Sequence, residues 1–459
     1  MKLLNLKKKL EINNKKFKEN RIRKEFIAAK KNKREISEEF DLDKVKIIGI
    51  TGSKGKSTVA YLLHCYLKSI GYKSVLYSSV MIDSPASHKN KNESNEVSIS
   101  SEQDLCELIN ELEYYEADYL ILEVNDSVIN KGLVKEIPFD VRVLTNLNAK
   151  HNLEQFTEQE YINLKKSFFR NIDEKCKCII GYQYYEKELF EELLELNNCD
   201  KYVFSTNYIV NVNGLNSEKF TCLLNNLKID LDGLKMNFNL KGKSYYLESN
   251  LMMNYNSLNL LCVISILESL DLYSNTKFQE LIRHVTIPGR SEIIKCNGRL
   301  IVIDPHLPNV IENLGNLKKE GLIKKIKVVI GSMGYGYKDW DERFKNERSS
   351  VQRNNTRKFA MSLLNKYADE VYLTENDNAD ESVTDICNEL QSYLKKEIRS
   401  VIVNDREQAI LQALQDSENG DVIFISGRGN RKVFCNSKNT MKLFKDKEVI
   451  EKNIKKLGW

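Results

Sequence analysis

Residues Gly49–Thr58 read Gly-Ile-Thr-Gly-Ser-Lys-Gly-Lys-Ser-Thr, between a short apolar run and an amphipathic stretch. Glycines there let consecutive backbone N–H groups curl round phosphate oxygens, and a helix starting directly behind them adds partial positive charge. The expected phosphate contacts are Gly52, Ser53, Lys54, Gly55, Lys56, Ser57 and Thr58. Lys56 has the length to reach the outer phosphates, and the Ser57 hydroxyl suits Mg²⁺ as an oxygen ligand. The strict phosphate-loop pattern places glycine where Ile50 stands, so this is a variant loop.

The elements that must hold these residues are legible from the apolar pattern. Val45–Ile50 is a β-branched run, and Ser57–Ile70 is an amphipathic helix. Tyr119–Val124 and Val141–Thr145 are further candidates for buried strands. A second series runs through Leu300–Asp304, Lys327–Gly331, Glu370–Thr374, Val401–Val403 and Asp421–Ile425, separated by helical segments. This predicts a second α/β unit with a largely parallel sheet. Between the two series, Val210–Leu251 alternates polar and apolar residues around Asn213-Gly214 and Asp232-Gly233. That pattern predicts antiparallel hairpins inserted at the end of the first unit.

At 459 residues the chain is too long for one ordinary core. Its 41% hydrophobic and 29% charged residues fit a soluble globular protein, and no apolar run approaches a membrane span. Ten cysteines lack a disulfide framework or zinc-knuckle spacing, which points to a reduced cytoplasmic compartment. The first 34 residues carry 14 Lys or Arg against three acidic side chains, whereas the rest is slightly acidic. Nucleic-acid coating is therefore not expected. The arm reads as one basic helix, packed on the next domain or touching an anionic membrane surface or a protein partner.

The Thr-Gly-x-x-Gly-Lys-Ser loop resembles that of the Mur ligases, and further short segments follow in that family's order. Leu122-Glu123-Val124 resembles its magnesium-binding strand end. Thr145-Asn146-Leu147, His151 and Tyr161 resemble its Thr-Asn-Leu, histidine and tyrosine series, and Lys165 falls where it carries a carbamylated lysine. Asn256 and Asn259 resemble its adenine-holding pair. Pro288-Gly289-Arg290-Ser291-Glu292 resembles the hinge whose arginine faces the phosphates, and Asp304 the ribose contact. Asp405–Ile410 and Gly427-Arg428-Gly429 resemble two motifs of the C-terminal domain.

The resemblance covers roughly residues 46–430 and is greatest to the family's tripeptide synthetases. It implies a P-loop central ATPase domain with a parallel sheet (46–290) and a C-terminal Rossmann-like α/β domain (291–459), after the basic helical arm (1–45). It also implies ATP and Mg²⁺ as cofactors, with small-molecule carboxylate and amino-acid or amine substrates. The carboxylate is joined to the amine through an acyl phosphate, with release of ADP and phosphate. Lys56, His151, Lys165 and Arg290 are implied in catalysis. The implied metal ligands are Ser57, Glu123, His151 and Lys165.

Other positions depart from the tripeptide synthetases. Lys150 replaces an aspartate, and Asn125-Asp126-Ser127 replaces Ser-Ser-His. Asp377-Asn378-Ala379-Asp380 lacks the arginine that reads the incoming amino acid, and Gly427-Arg428-Gly429-Asn430-Arg431 places Arg where that family has Glu. No counterpart of the UDP-sugar domain precedes the loop. The ATP half thus matches, while the acceptor half points to a different carboxylate or amine. Three alternatives stay open: a peptidoglycan tripeptide synthetase, a folylpolyglutamate type of synthetase, and a non-catalytic ATP-binding scaffold.

Overall fold

A computed structural model of the chain describes residues 44–83, 102–135, 137–148, 156–170, 172–183, 187–334, 347–378, 381–437 and 440–459. The basic arm, Lys150 and His151 lie outside the described residues.

β1 (Lys46–Thr51) is buried from Ile47 onward, as an apolar strand covered on both faces must be. It lies between β4 (Tyr119–Glu123) and β5 (Val141–Leu144), parallel to both. β2 (Ser74–Tyr77) pairs with β4, and the short β3 (Ile82–Asp83) ends that side. On the other side β6 (Lys177–Gly181), β7 (Lys201–Thr206) and β8 (Cys222–Asp230) continue in parallel. β9 (Gly233–Leu240) and β10 (Lys243–Ser249) add antiparallel strands to give ten among the described residues.

The hairpins expected between Val210 and Leu251 exist, and Asp232-Gly233 makes the β8–β9 turn. They continue the central sheet at its end, β8 pairing with β7. Asn213-Gly214 is not a hairpin turn. It ends the helix Asn207–Val212, with Gly214 at φ 60° and Leu215 N donating to Val210 O at 3.0 Å. Glycine in the left-handed region serves a helix terminus as readily as a turn, and the dipeptide alone does not choose between them. At the outer edge, the Gln279 side chain binds β10 twice: its Oε1 accepts from Glu248 N at 2.8 Å and its Nε2 donates to Glu248 O at 2.6 Å.

The second sheet is parallel except at one edge, as its apolar runs predict. β11 (Glu292–Cys296) is antiparallel to β12 (Arg299–Asp304). Beyond β12 the order is β16 (Val422–Ser426), β13 (Ile326–Ile330), β14 (Glu370–Leu373) and β15 (Arg399–Ile402), all parallel. Apolar clusters fill both faces of each sheet.

The Asp405–Ile410 motif is structural. Asp405 caps the helix Arg406–Gln415 by accepting from Gln408 N at 2.9 Å. Arg406 makes two bonds to Asp446, at 2.7 and 3.0 Å, and a third to Ser426 O at 2.9 Å, with both ion-pair members fully buried. Arg406→Ala leaves a buried carboxylate unpaired and is expected to lower stability by about 3 kcal/mol. Urea unfolding followed by circular dichroism measures this, and an unchanged midpoint counts against it.

Candidate active site

The C-terminal ends of β1, β4 and β5 open onto one cavity of about 260 Å³. β1 sits between two neighbours that follow it in the chain, so a crevice opens above its carboxyl end, where ligands of open α/β sheets bind. The loop leaves β1 at Thr51 and enters the helix Lys56–Ser69 through Gly55, which holds φ 83°. A Cβ on Gly55 would stand 2.3 Å from Asn259 Oδ1, and one on Gly52 2.0 Å from Thr145 Oγ1. The loop glycines are therefore required by the side chains packed on them as well as by backbone conformation. Gly55→Ala is expected to weaken binding of a non-hydrolysable ATP analogue at least about tenfold, since it combines strain and a clash. Isothermal titration reads this directly, and undiminished affinity contradicts it.

The remaining loop residues are fixed from several directions. Ser53 Oγ lies 3.0 Å from Tyr161 OH, and Lys54 N donates to Asn146 Oδ1 at 3.0 Å. Lys54 Nζ donates to Asn309 Oδ1 at 2.9 Å, and burial lowers its pKa against the opposing pull of Asp304 and Glu312. Lys56 Nζ folds over the loop and donates to Gly52 O at 2.9 Å. Ser57 Oγ donates to Glu123 Oε1 at 3.0 Å and lies 2.8 Å from Ser79 Oγ. Thr58 also lines the cavity.

Asn256 and Asn259 stand one turn apart on the helix Tyr255–Ser269 and are bonded to each other at 3.0 Å. Both face the cavity, as do Arg290 and Asp304. Arg290 Nη2 donates to Ser79 Oγ at 3.2 Å. Asp304 accepts from Ser291 N at 2.7 Å and Ser291 Oγ at 3.0 Å on one oxygen, and from His306 N at 2.7 Å on the other. Burial raises the pKa of its carboxyl, while Arg290 and these donors oppose the rise. It thus ties the segment after Gly289 to the end of β12, in addition to lining the cavity.

Lys165 is brought beneath the loop. The capping box Thr157–Glu160 starts its helix, Glu158–Ser167, and Lys165 is fully buried on the inner face. Its Nζ donates to Thr51 Oγ1 at 2.9 Å and pairs with Asp126. Burial drives its pKa down to about 8 despite that carboxylate. The neighbouring Lys166 is buried too and pairs with Glu192.

Ser79 is the residue that sequence reasoning passes over. A serine two positions beyond a short strand has no pattern to mark it, yet Ser57, Glu123 and Arg290 all converge there. Glu123 Oε2 accepts from Ser79 N at 2.8 Å. Asn430 reaches the same segment, donating to Val80 O at 2.6 Å. In the altered C-terminal motifs, Arg428 lies 2.8 Å and Arg431 3.1 Å from the two oxygens of Asp377. The replaced basic residues therefore answer the aspartate of the other replaced motif.

The donor set fits a phosphate chain with a hard divalent cation: a glycine cradle, two lysines, and carboxylate and hydroxyl oxygens within 3.0 Å of one another. Residues 50–267 match the Mur ligase middle domain, and residues 289–429 the Mur ligase glutamate ligase domain. A 2,6-diaminopimelate ligase 1 acting on UDP-N-acetylmuramoyl-L-alanyl-D-glutamate, from Clostridium acetobutylicum, is 25% identical over 90% of this chain and 79% of its own length. Among solved structures, the MurF ligase of Thermotoga maritima with ADP has a TM-score of 0.62 at 17% identity, covering 90% of this chain and 81% of its own. A bifunctional folylpolyglutamate synthase/dihydrofolate synthase with Mn, AMPPNP and L-glutamate bound has a TM-score of 0.57 at 17% identity, over 83% and 86%. With its two α/β units matched in sequence and fold, the chain belongs to the Mur ligase family.

Proposed function

We propose that the protein is an ATP-dependent ligase that joins a carboxylate to an amine, releasing ADP and phosphate. One observation carries this reading: Lys56, Ser57, Glu123 and Arg290 converge on Ser79 and the phosphate loop in a single cavity. A carboxylate is a poor electrophile. Transfer of the terminal phosphoryl group of ATP to its oxygen gives an acyl phosphate and ADP. The amine then attacks the acyl carbon, and phosphate leaves with the C–O bond pair.

Lys56 and Arg290 supply fixed positive charge to the transferring group, and the backbone donors from Gly52 to Ser57 hold the phosphates still. Ser57 and Glu123 would hold the divalent cation, and Mg²⁺ suits these oxygen donors. When bound, the ion offsets charge on the phosphate oxygens. The matched folylpolyglutamate synthase carries Mn with AMPPNP, and the MurF ligase carries ADP. Asn256 and Asn259 are the proposed adenine contacts, and Asp304 is the proposed ribose contact.

The proposed units are residues 46–290 for ATP and 291–459 for the C-terminal domain. Among the described residues no helix is long and apolar enough to cross a membrane, and the cytoplasm is the proposed compartment. The substrates proposed are small molecules, beginning with the UDP-MurNAc peptides named for the relatives. On the amine side, the Asp377–Arg428–Arg431 cluster supports an acceptor other than diaminopimelate. ADP release measured with UDP-MurNAc-dipeptide, folate and free amino-acid acceptors tests the reading. Tight ATP binding with no ADP release from any pair overturns it.

A further inference from the structure

Lys165 is completely buried, and its Nζ is bonded to two partners. It donates to Thr51 Oγ1 at 2.9 Å, and Thr51 Oγ1 in turn donates to Val124 O at 2.9 Å. It also pairs with Asp126, the first residue of the short helix Asp126–Asn130 that follows β4. Four residues earlier on the same helix, Tyr161 reaches Ser53 Oγ at 3.0 Å. One helix face therefore grips the phosphate loop at Thr51 and Ser53, and Asp126 grips the lysine.

We propose that Asp126 is a positioning residue that keeps Lys165 an unmodified amine, clamped to the start of the phosphate loop, so that this ligase works without CO₂. Carbamylation would require the Nζ lone pair to attack CO₂, forming an N–C bond and releasing a proton to solvent. The product would add a carbon and two oxygens at an atom that has no exposed surface. It would also place a second anion against the Asp126 carboxylate, and two adjacent carboxylates repel strongly in a buried site. The anionic oxygen that a carbamate offers is already supplied by Asp126 from the neighbouring strand end. An ammonium at this depth needs such a partner, since an unpaired buried charge is costly.

The full-length protein incubated with ¹³C-bicarbonate tests this by ¹³C NMR. The wild type is expected to show no lysine carbamate carbonyl resonance. ATP turnover in CO₂-free buffer should equal that with added bicarbonate within twofold. Asp126→Ser removes the competing carboxylate, and it is expected to gain the resonance and a turnover stimulated at least threefold by bicarbonate. If that variant does not fold, as judged by its melting curve, the near-isosteric Asp126→Asn takes its place. A carbamate resonance in the wild type overturns the proposal. So does silence of the folded variant, because Asp126 would then not be what excludes CO₂. The resonance reports on the amine itself, so its outcome is independent of whether ligase substrates are found.

Discussion

Lys56→Ala is expected to lower the ATP-dependent rate about 1000-fold while leaving the fold intact. In the structure Lys56 Nζ spans the loop, donating to Gly52 O at 2.9 Å and lying 3.5 Å from Ser53 O. Those carbonyls hold the ammonium directly over the loop, where outer phosphates compete for it with far stronger charge. The transferring phosphoryl group is the place where negative charge redistributes, so the loss should fall mainly on kcat, with a smaller change in nucleotide affinity. Lys56→Arg should recover little, because a planar guanidinium does not fit a point-charge position inside a tight loop. Steady-state kinetics with nucleotide binding measured separately provides the check. Equal losses in binding and in kcat/KM, with kcat unchanged, would assign the lysine to binding alone.

Glu123→Gln is expected to reduce turnover by a similar factor, about 1000-fold, and to raise the divalent-cation concentration needed for half-maximal rate at least about tenfold. The substitution keeps shape and removes one charge. Glu123 sits at the end of β4 with one oxygen on Ser57 Oγ and the other on Ser79 N, so the amide can retain the first contact but not the full acceptor pair. A metal titration at saturating ATP distinguishes this from simple misplacement of Ser79. An unchanged metal requirement would remove Glu123 from the ion's ligands.

The phosphate loop is legible because its chemistry is local: glycines, lysine and hydroxyl lie within ten residues between two strong periodic signals. The parallel strands β1, β4, β5, β12, β13 and β16 are legible for the same reason, as buried runs of branched apolar residues. β2 (Ser74–Tyr77), β6 (Lys177–Gly181) and β7 (Lys201–Thr206) escape notice because each is a short run whose burial is decided by neighbours far along the chain. The central sheet's full width is likewise a long-range fact, since nothing within Cys222–Ser249 says that β8 pairs with β7. Asn256, Asn259, Arg290 and Asp304 are assigned by resemblance to a family and not by local pattern. Their meeting in one cavity depends on how the two sheets face each other. Ser79 and Asp126 are the opposite case, ordinary residues given their place by the convergence of others.

The double bond from Gln279 to Glu248 at the rim of β10 bears on how the protein behaves in concentrated solution. A ten-stranded sheet ending in an open ribbon is a template for a strand from another molecule, because its outer N–H and C=O groups are unpaired. Here one side-chain amide occupies both outward groups of Glu248, imitating the next strand at that rung. Lys243 and Ser244 leave exposed polar side chains farther along the same rim. A foreign chain would have to displace a bonded amide as well as find its register, so this rim of the sheet resists the addition of a further strand.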